Sequence, residues 1–199
     1  LAFSIKLIIL KIMDNIKKTL IEISNNFANL AIQSPQQIEE VFKIILNALE
    51  NKGKIMFCGN GGSAADSQHL SAELVGRYLK NRKPLPSIAL TTDTSVITAI
   101  GNDFSFDEIF SRQIESVGNP GDILYAITTS GKSKNIINAL KKAKNMGIKT
   151  IGITGIQSNS IEGLCDVIVN VPSSRPDRIQ EMHIAIGQII CEMIEKKLC

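Results

Sequence analysis

The chain is 199 residues long and 44% hydrophobic, enough for one well-filled core and an argument against two independent domains. Its formal net charge is only +3, its lysines are scattered, and two Tyr with no Trp leave little surface for base stacking, so nucleic acid is a poor choice of direct partner. The four cysteines, Cys58, Cys165, Cys191 and Cys199, show no Cys-x-x-Cys spacing and read as reduced thiols of a cytoplasmic protein.

Residues 1–12 are apolar but interrupted by Lys6 and Lys11. They lack a small-residue cleavage site and are too short to cross a bilayer of about 30 Å. Met13-Asp14-Asn15 has the look of an ordinary start, so the segment reads as an upstream extension or a lead-in to the first helix. From residue 14 to 31, Ile16, Leu20, Ile23, Phe27 and Leu30 recur at helical spacing, and Ser34 with Pro35 is expected to end this helix and cap the next, over residues 37–51.

After Gly53 the rhythm changes. Five short apolar runs, at residues 54–58, 87–91, 123–128, 150–154 and 167–171, read as strands separated by helical segments. That alternation predicts a parallel sheet covered on both faces. The last helix, over residues 178–198, is apolar around much of its circumference and is expected to bury against a neighbour or another subunit.

Two loops carry the chemistry. The first, Gly59-Asn60-Gly61-Gly62-Ser63, joins a strand to a helix, and a helix N-terminus reached through glycines suits a phosphate. That helix also bears His69 and Glu73, an i,i+4 pair on one face that reads as a metal or acid/base pair or as a solvated surface pair. The second loop, Thr128-Thr129-Ser130-Gly131-Lys132-Ser133, follows the third strand and offers hydroxyls at the start of the helix over residues 135–145. The first loop matches neither the Walker lysine loop nor the dinucleotide fingerprint. Two such loops at the carboxyl ends of strands in one sheet favour a shared ligand.

Taken together, Cys58-Gly59-Asn60-Gly61-Gly62-Ser63, Gln68-His69 with Glu73-Leu74 and Gly76-Arg77, Ala99-Ile100-Gly101-Asn102-Asp103, Thr129-Ser130-Gly131 with Ser133, and Arg178-Ile179-Gln180-Glu181-Met182-His183 resemble the phosphoheptose isomerases of the sugar isomerase (SIS) domain family. The resemblance covers the chain from Met13 onward. It implies a flavodoxin-like α/β fold, with a five-stranded parallel sheet flanked by helices. Residues 13–199 would form a single SIS domain, with N-terminal helices over 13–52 and the α/β core over 53–199. It also implies a cytoplasmic homotetramer with active sites between subunits, and a bound zinc ion.

The activity so implied is isomerisation of D-sedoheptulose 7-phosphate to D-glycero-D-manno-heptose 7-phosphate, a step of bacterial heptose and lipopolysaccharide-precursor synthesis. The implied substrate residues are Asn60, Gly61, Gly62, Ser63, Glu73, Asn102, Asp103, Thr128, Thr129, Ser130, Ser133 and Gln180. The implied metal set is His69, Glu73, Gln180 and a histidine eight residues after that glutamine, a position held here by Gln188. Glutamine offers a metal a neutral oxygen but has no titratable proton near neutral pH. The resemblance gives acid/base work to that histidine and to the glutamate matching Glu73; Glu73 is assigned as the catalytic base, with Gln188, His183 or water replacing the missing histidine relay. The alternative the family offers is a non-catalytic tetramer binding a replication initiator protein, or a sugar-phosphate-binding regulator.

Overall fold

A computed structural model describes residues 2–157 and 160–199. Two helices open the chain, α1 (Ala2–Gln33) and α2 (Pro35–Glu50). α1 runs unbroken through residue 13, past both the expected start at residue 14 and the lysines that interrupt its early apolar pattern. Leu1 lies outside the described residues. Ser34 makes no side-chain cap to α2; its Oγ instead donates to the carbonyl of Asn170 at 3.3 Å. Pro35 starts α2 because its fixed φ suits a first helical position.

The remainder alternates between strand and helix: β1 (Ile55–Gly59), α3 (Gly62–Val75), β2 (Ser87–Ala89), α4 (Thr94–Asp103), α5 (Ser111–Val117), β3 (Ile123–Ile127), α6 (Lys134–Asn145), β4 (Lys149–Thr154), β5 (Val167–Asn170) and α7 (Pro176–Leu198). The five strands form one parallel sheet in the order β2-β1-β3-β4-β5. This is the flavodoxin-like α/β architecture expected. β2 is shorter than the run at residues 87–91 suggests, because it pairs only with β1 and the chain turns at Thr92 into the Asp93 cap of α4.

Side chains alternate across the sheet. Ile55, Phe57, Ile123, Tyr125 and Ile127 face one layer, formed with α2, α3 and α7 through Val41, Leu70, Leu74, Ile186 and Ile190. Met56, Cys58, Leu124 and Ala126 face the other, formed with α5 and α6 through Ile114, Ile136 and Leu140. Each fully buried Ile or Leu contributes on the order of 2 kcal/mol by leaving water. All four cysteines are free thiols. Among the described residues no helix is long and apolar enough to cross a membrane.

α3 and α7 run side by side in parallel register. Gln180 lies at Gly62, Gly187 lies so close to Leu70 that a Cβ there would stand 2.4 Å from its side chain, and Glu195 receives the N–H groups of Tyr78, Leu79 and Lys80. This register decides which functional groups can meet.

Candidate active site

Two sharp turns at the carboxyl ends of neighbouring strands build the site. Gly59 pairs with Ile127 at the end of the β1–β3 ladder, so the turns that follow lie next to each other. At the first, a Cβ on Gly59 would sit 2.5 Å from the Ser63 carbonyl oxygen, and Gly61, at φ +57°, takes the left-handed conformation that starts α3. At the second, the Thr128 hydroxyl accepts from Gly131 N–H at 3.2 Å and the Ser130 hydroxyl accepts from Lys132 N–H at 3.2 Å. Ser133 is the N-cap of α6 yet makes no capping bond, which leaves its hydroxyl for a ligand.

Asn60, Ser63, Thr128, Thr129, Ser133 and Gln180 line one polar cleft of about 50 Å³, so six of the expected substrate residues come together. Gly61 and Gly62 form its first turn, and the Gln180 amide packs where a Gly62 side chain would otherwise be. Ser130 opens onto an adjoining pocket shared with Thr129, Ser173 and Ile179. Asn102 and Asp103 lie exposed at the end of α4, with Asn102 Nδ2 donating to Asp103 Oδ1 at 2.8 Å, and are not among the residues lining the cleft.

His69 and Glu73 do meet each other. The imidazole Nε2 is 3.0 Å from Glu73 Oε1, with side chains 48% and 22% exposed. They stand two and three turns beyond Gly62 on α3, away from the cleft of their own chain. Arg82 fixes the end of α3 behind them, donating to the carbonyls of Glu73 and Leu74 at 2.7 Å and to Glu195 Oε1 at 3.1 Å, both partners of that ion pair being buried.

Sequence reading assigned no role to Asp66, although Asp66, His69 and Glu73 follow one another at i, i+3 and i+7 on one helix face. One of its carboxylate oxygens is buried without a hydrogen-bond partner. Burial raises the carboxyl to about 6, with the nearby His69 pulling the other way. His183, by contrast, is 1% exposed, and burial lowers its imidazole to about 4. It faces the interior and cannot serve as the replacement relay.

The implied zinc set is only partly assembled. His69 and Glu73 are conventional zinc ligands, adjacent and reachable from solvent. Gln188 follows Gly187, which abuts Leu70, so it sits level with this pair along α7, whereas Gln180 is engaged at Gly62. Among the described residues no three His, Cys, Asp or Glu side chains converge on one point. The His69–Glu73 pair fits a divalent ion.

Comparison with known proteins agrees with this architecture. The SIS domain family model matches residues 20–155. The phosphoheptose isomerase of Rhodospirillum rubrum is 51% identical over 162 residues, covering 81% of this chain and 86% of that protein. That of Akkermansia muciniphila is 47% identical over 183 residues, covering 92% and 96%. The solved structure of a phosphoheptose isomerase from Neisseria gonorrhoeae superposes with a TM-score of 0.88 at 38% identity, covering 93% of this chain and 99% of that one.

Proposed function

The chain belongs to the SIS domain family, and from that premise we propose that it is an isomerase converting sedoheptulose 7-phosphate to the corresponding heptose 7-phosphate. One observation carries this reading: Asn60, Ser63, Thr128, Thr129, Ser133 and Gln180 converge on a single polar cleft in a chain about half identical to named phosphoheptose isomerases. Hydroxyls and amides at two helix N-termini bind a phosphate through oriented dipoles rather than through a lysine. The sugar chain then extends from the phosphate toward Gln180.

A ketose becomes an aldose when the proton on C1 moves to C2 and the hydroxyl proton on O1 moves to O2; nothing is gained or lost. Glu73 is the base that takes the carbon proton and returns it, and His69, 3.0 Å from its carboxylate, orients it. Zinc held by His69 and Glu73 would supply Lewis-acid polarisation of a sugar oxygen. Gln188 contributes at most a neutral amide oxygen.

Glu73 lies eleven residues along α3 from Gly62, about 16 Å of helix rise. An extended seven-carbon sugar phosphate spans only roughly 10 Å, at about 1.3 Å of projected length per bond. The spacing supports a site in which the cleft of one subunit works with His69 and Glu73 of another, within a cytoplasmic homotetramer. Ile12, Met13, Ile16, Leu20 and Ile21 of α1 are each about half-exposed or more, and an apolar groove lined by Phe27, Leu30, Ile38, Ile189 and Met193 adjoins them, a surface suited to such assembly.

The test is to incubate the purified protein with sedoheptulose 7-phosphate, with and without added zinc, and to follow aldose formation. Aldose production supports the isomerase. Binding of the sugar phosphate with no turnover at any zinc concentration would transfer the reading to a sugar-phosphate regulator. Capture of a replication initiator without sugar binding would favour the non-catalytic reading, the one for which Gln188 speaks.

A further inference from the structure

Behind the cleft, the two turns are tied by a reciprocal pair of side-chain amides. Asn60 Nδ2 donates to Asn135 Oδ1 and Asn135 Nδ2 donates to Asn60 Oδ1, both at 2.9 Å. Asn60 belongs to the turn after β1 and lines the cleft. Asn135 is the second residue of α6, is 2% exposed, and does not line it. An asparagine at the start of a helix ordinarily spends its side chain on nearby backbone. Here the amide is spent 75 positions away in sequence, on the one cleft residue of the opposite turn that carries an amide.

We propose that Asn135 is a positioning residue for the phosphate cleft, holding the Asn60 amide in place and fixing the distance between the two binding turns. The inference rests on the reading of that cleft as the sugar-phosphate site. Each amide has a second N–H after the pair has formed. Asn60 lines the cleft and Asn135 does not, so of the two amides only that of Asn60 can meet a ligand. With Asn135 buried and Asn60 partly so, the doubly bonded amide pair is held from two sides, while an Asn60 amide that has lost its partner is free to move. Without Asn135, ligand binding must supply the order that the pair now provides, so affinity falls although no group touching the ligand has changed.

The experiment is a double-mutant cycle on the full chain with Asn60→Ala, Asn135→Ala and both together. Calorimetry with inorganic phosphate and with sedoheptulose 7-phosphate reads affinity, and thermal unfolding monitors the fold. Asn135→Ala is expected to weaken both ligands by roughly tenfold, the value of one lost oriented hydrogen bond. The double variant should be no more than about twofold weaker than the worse single one, since Asn135 acts through Asn60. Losses that multiply, or an Asn135→Ala protein that binds as the wild type does, would overturn the proposal, as would a wild type that binds neither probe. If Asn135→Ala does not fold, Asn135→Leu, similar in size and uncharged but unable to bond Asn60, is held to the same comparison. A wild type that binds but does not isomerise defeats the isomerase reading alone, and one that isomerises with Asn135→Ala unimpaired defeats only this inference.

Discussion

The amide of Gln180 occupies the space that a side chain at Gly62 would need: a Cβ there would lie 2.6 Å from Nε2 and 2.7 Å from Oε1. Gly62 is in α3 and does not have a left-handed φ, so alanine is allowed by its backbone. Gly62→Ala should therefore leave the protein as stable as before, or more stable by up to about 1 kcal/mol through helix propensity. It should also push the end of Gln180 out of the cleft and lower kcat/KM by about tenfold or more. Thermal unfolding and steady-state kinetics on the same preparation check both halves. A variant that keeps full activity would show that Gln180 has no part in the site.

Ser133 offers a sharper separation of binding from folding. As an N-cap it would ordinarily contribute about 1 kcal/mol by accepting a helix N–H, but it makes no such bond here. Ser133→Ala should weaken sugar-phosphate affinity by several-fold, with a change in unfolding free energy below about 0.5 kcal/mol. A stability loss with unchanged affinity in a calorimetric titration would return Ser133 to the role of a simple cap.

Much of this arrangement is legible in the sequence because it is local. The buried strands of a parallel sheet read as continuous apolar runs, and both ligand turns are marked by Gly, Ser and Thr at strand ends. His69 and Glu73 meet as helical spacing requires. What stays hidden depends on partners distant in the chain. Ser34 looks like a cap, yet its hydroxyl goes to Asn170. Asn135 looks like an ordinary helix residue until Asn60 is placed beside it. The closeness of Gly62 to Gln180, and with it the parallel register of α3 and α7, has no local signature at all.

Two groups near the site give opposed pH dependences. Buried His183 has its imidazole lowered from 6.5 to about 4, so its contribution is fully present above pH 6.5 and is lost as pH falls toward 4. Asp66 has its carboxyl raised from 3.8 to about 6, so its contribution is fully present below about pH 3.8 and is lost as pH rises through 6. Between about pH 4 and 6 the folded state binds one proton more at Asp66 and one fewer at His183, and the two slopes offset. Asp66→Asn should uncover the His183 slope, up to about 1.4 kcal/mol per pH unit in that window. Urea unfolding at pH 4, 5, 6 and 7 for wild type and variant makes the comparison. Parallel curves would mean that Asp66 is not protonated in the folded state.

The last prediction concerns the base. Glu73→Gln keeps the side chain's shape and its ability to hydrogen bond to His69 but removes the group that can take a proton from carbon. Turnover should fall by roughly 10² or more while sugar-phosphate affinity, set at the cleft, stays within a few-fold. Gln188 sits level with the His69–Glu73 pair along α7, next to Gly187 against Leu70. Gln188→His would thus place an imidazole at the height of the base, and should raise both turnover and retained zinc after dialysis, since imidazole is a better ligand than an amide and can carry a proton. The combination Glu73→Gln with Gln188→His is the deciding measurement. If Glu73 is the base, the double variant should remain roughly 10² or more slower than Gln188→His alone; a double variant as fast as Gln188→His alone would show that the carbon proton does not need Glu73.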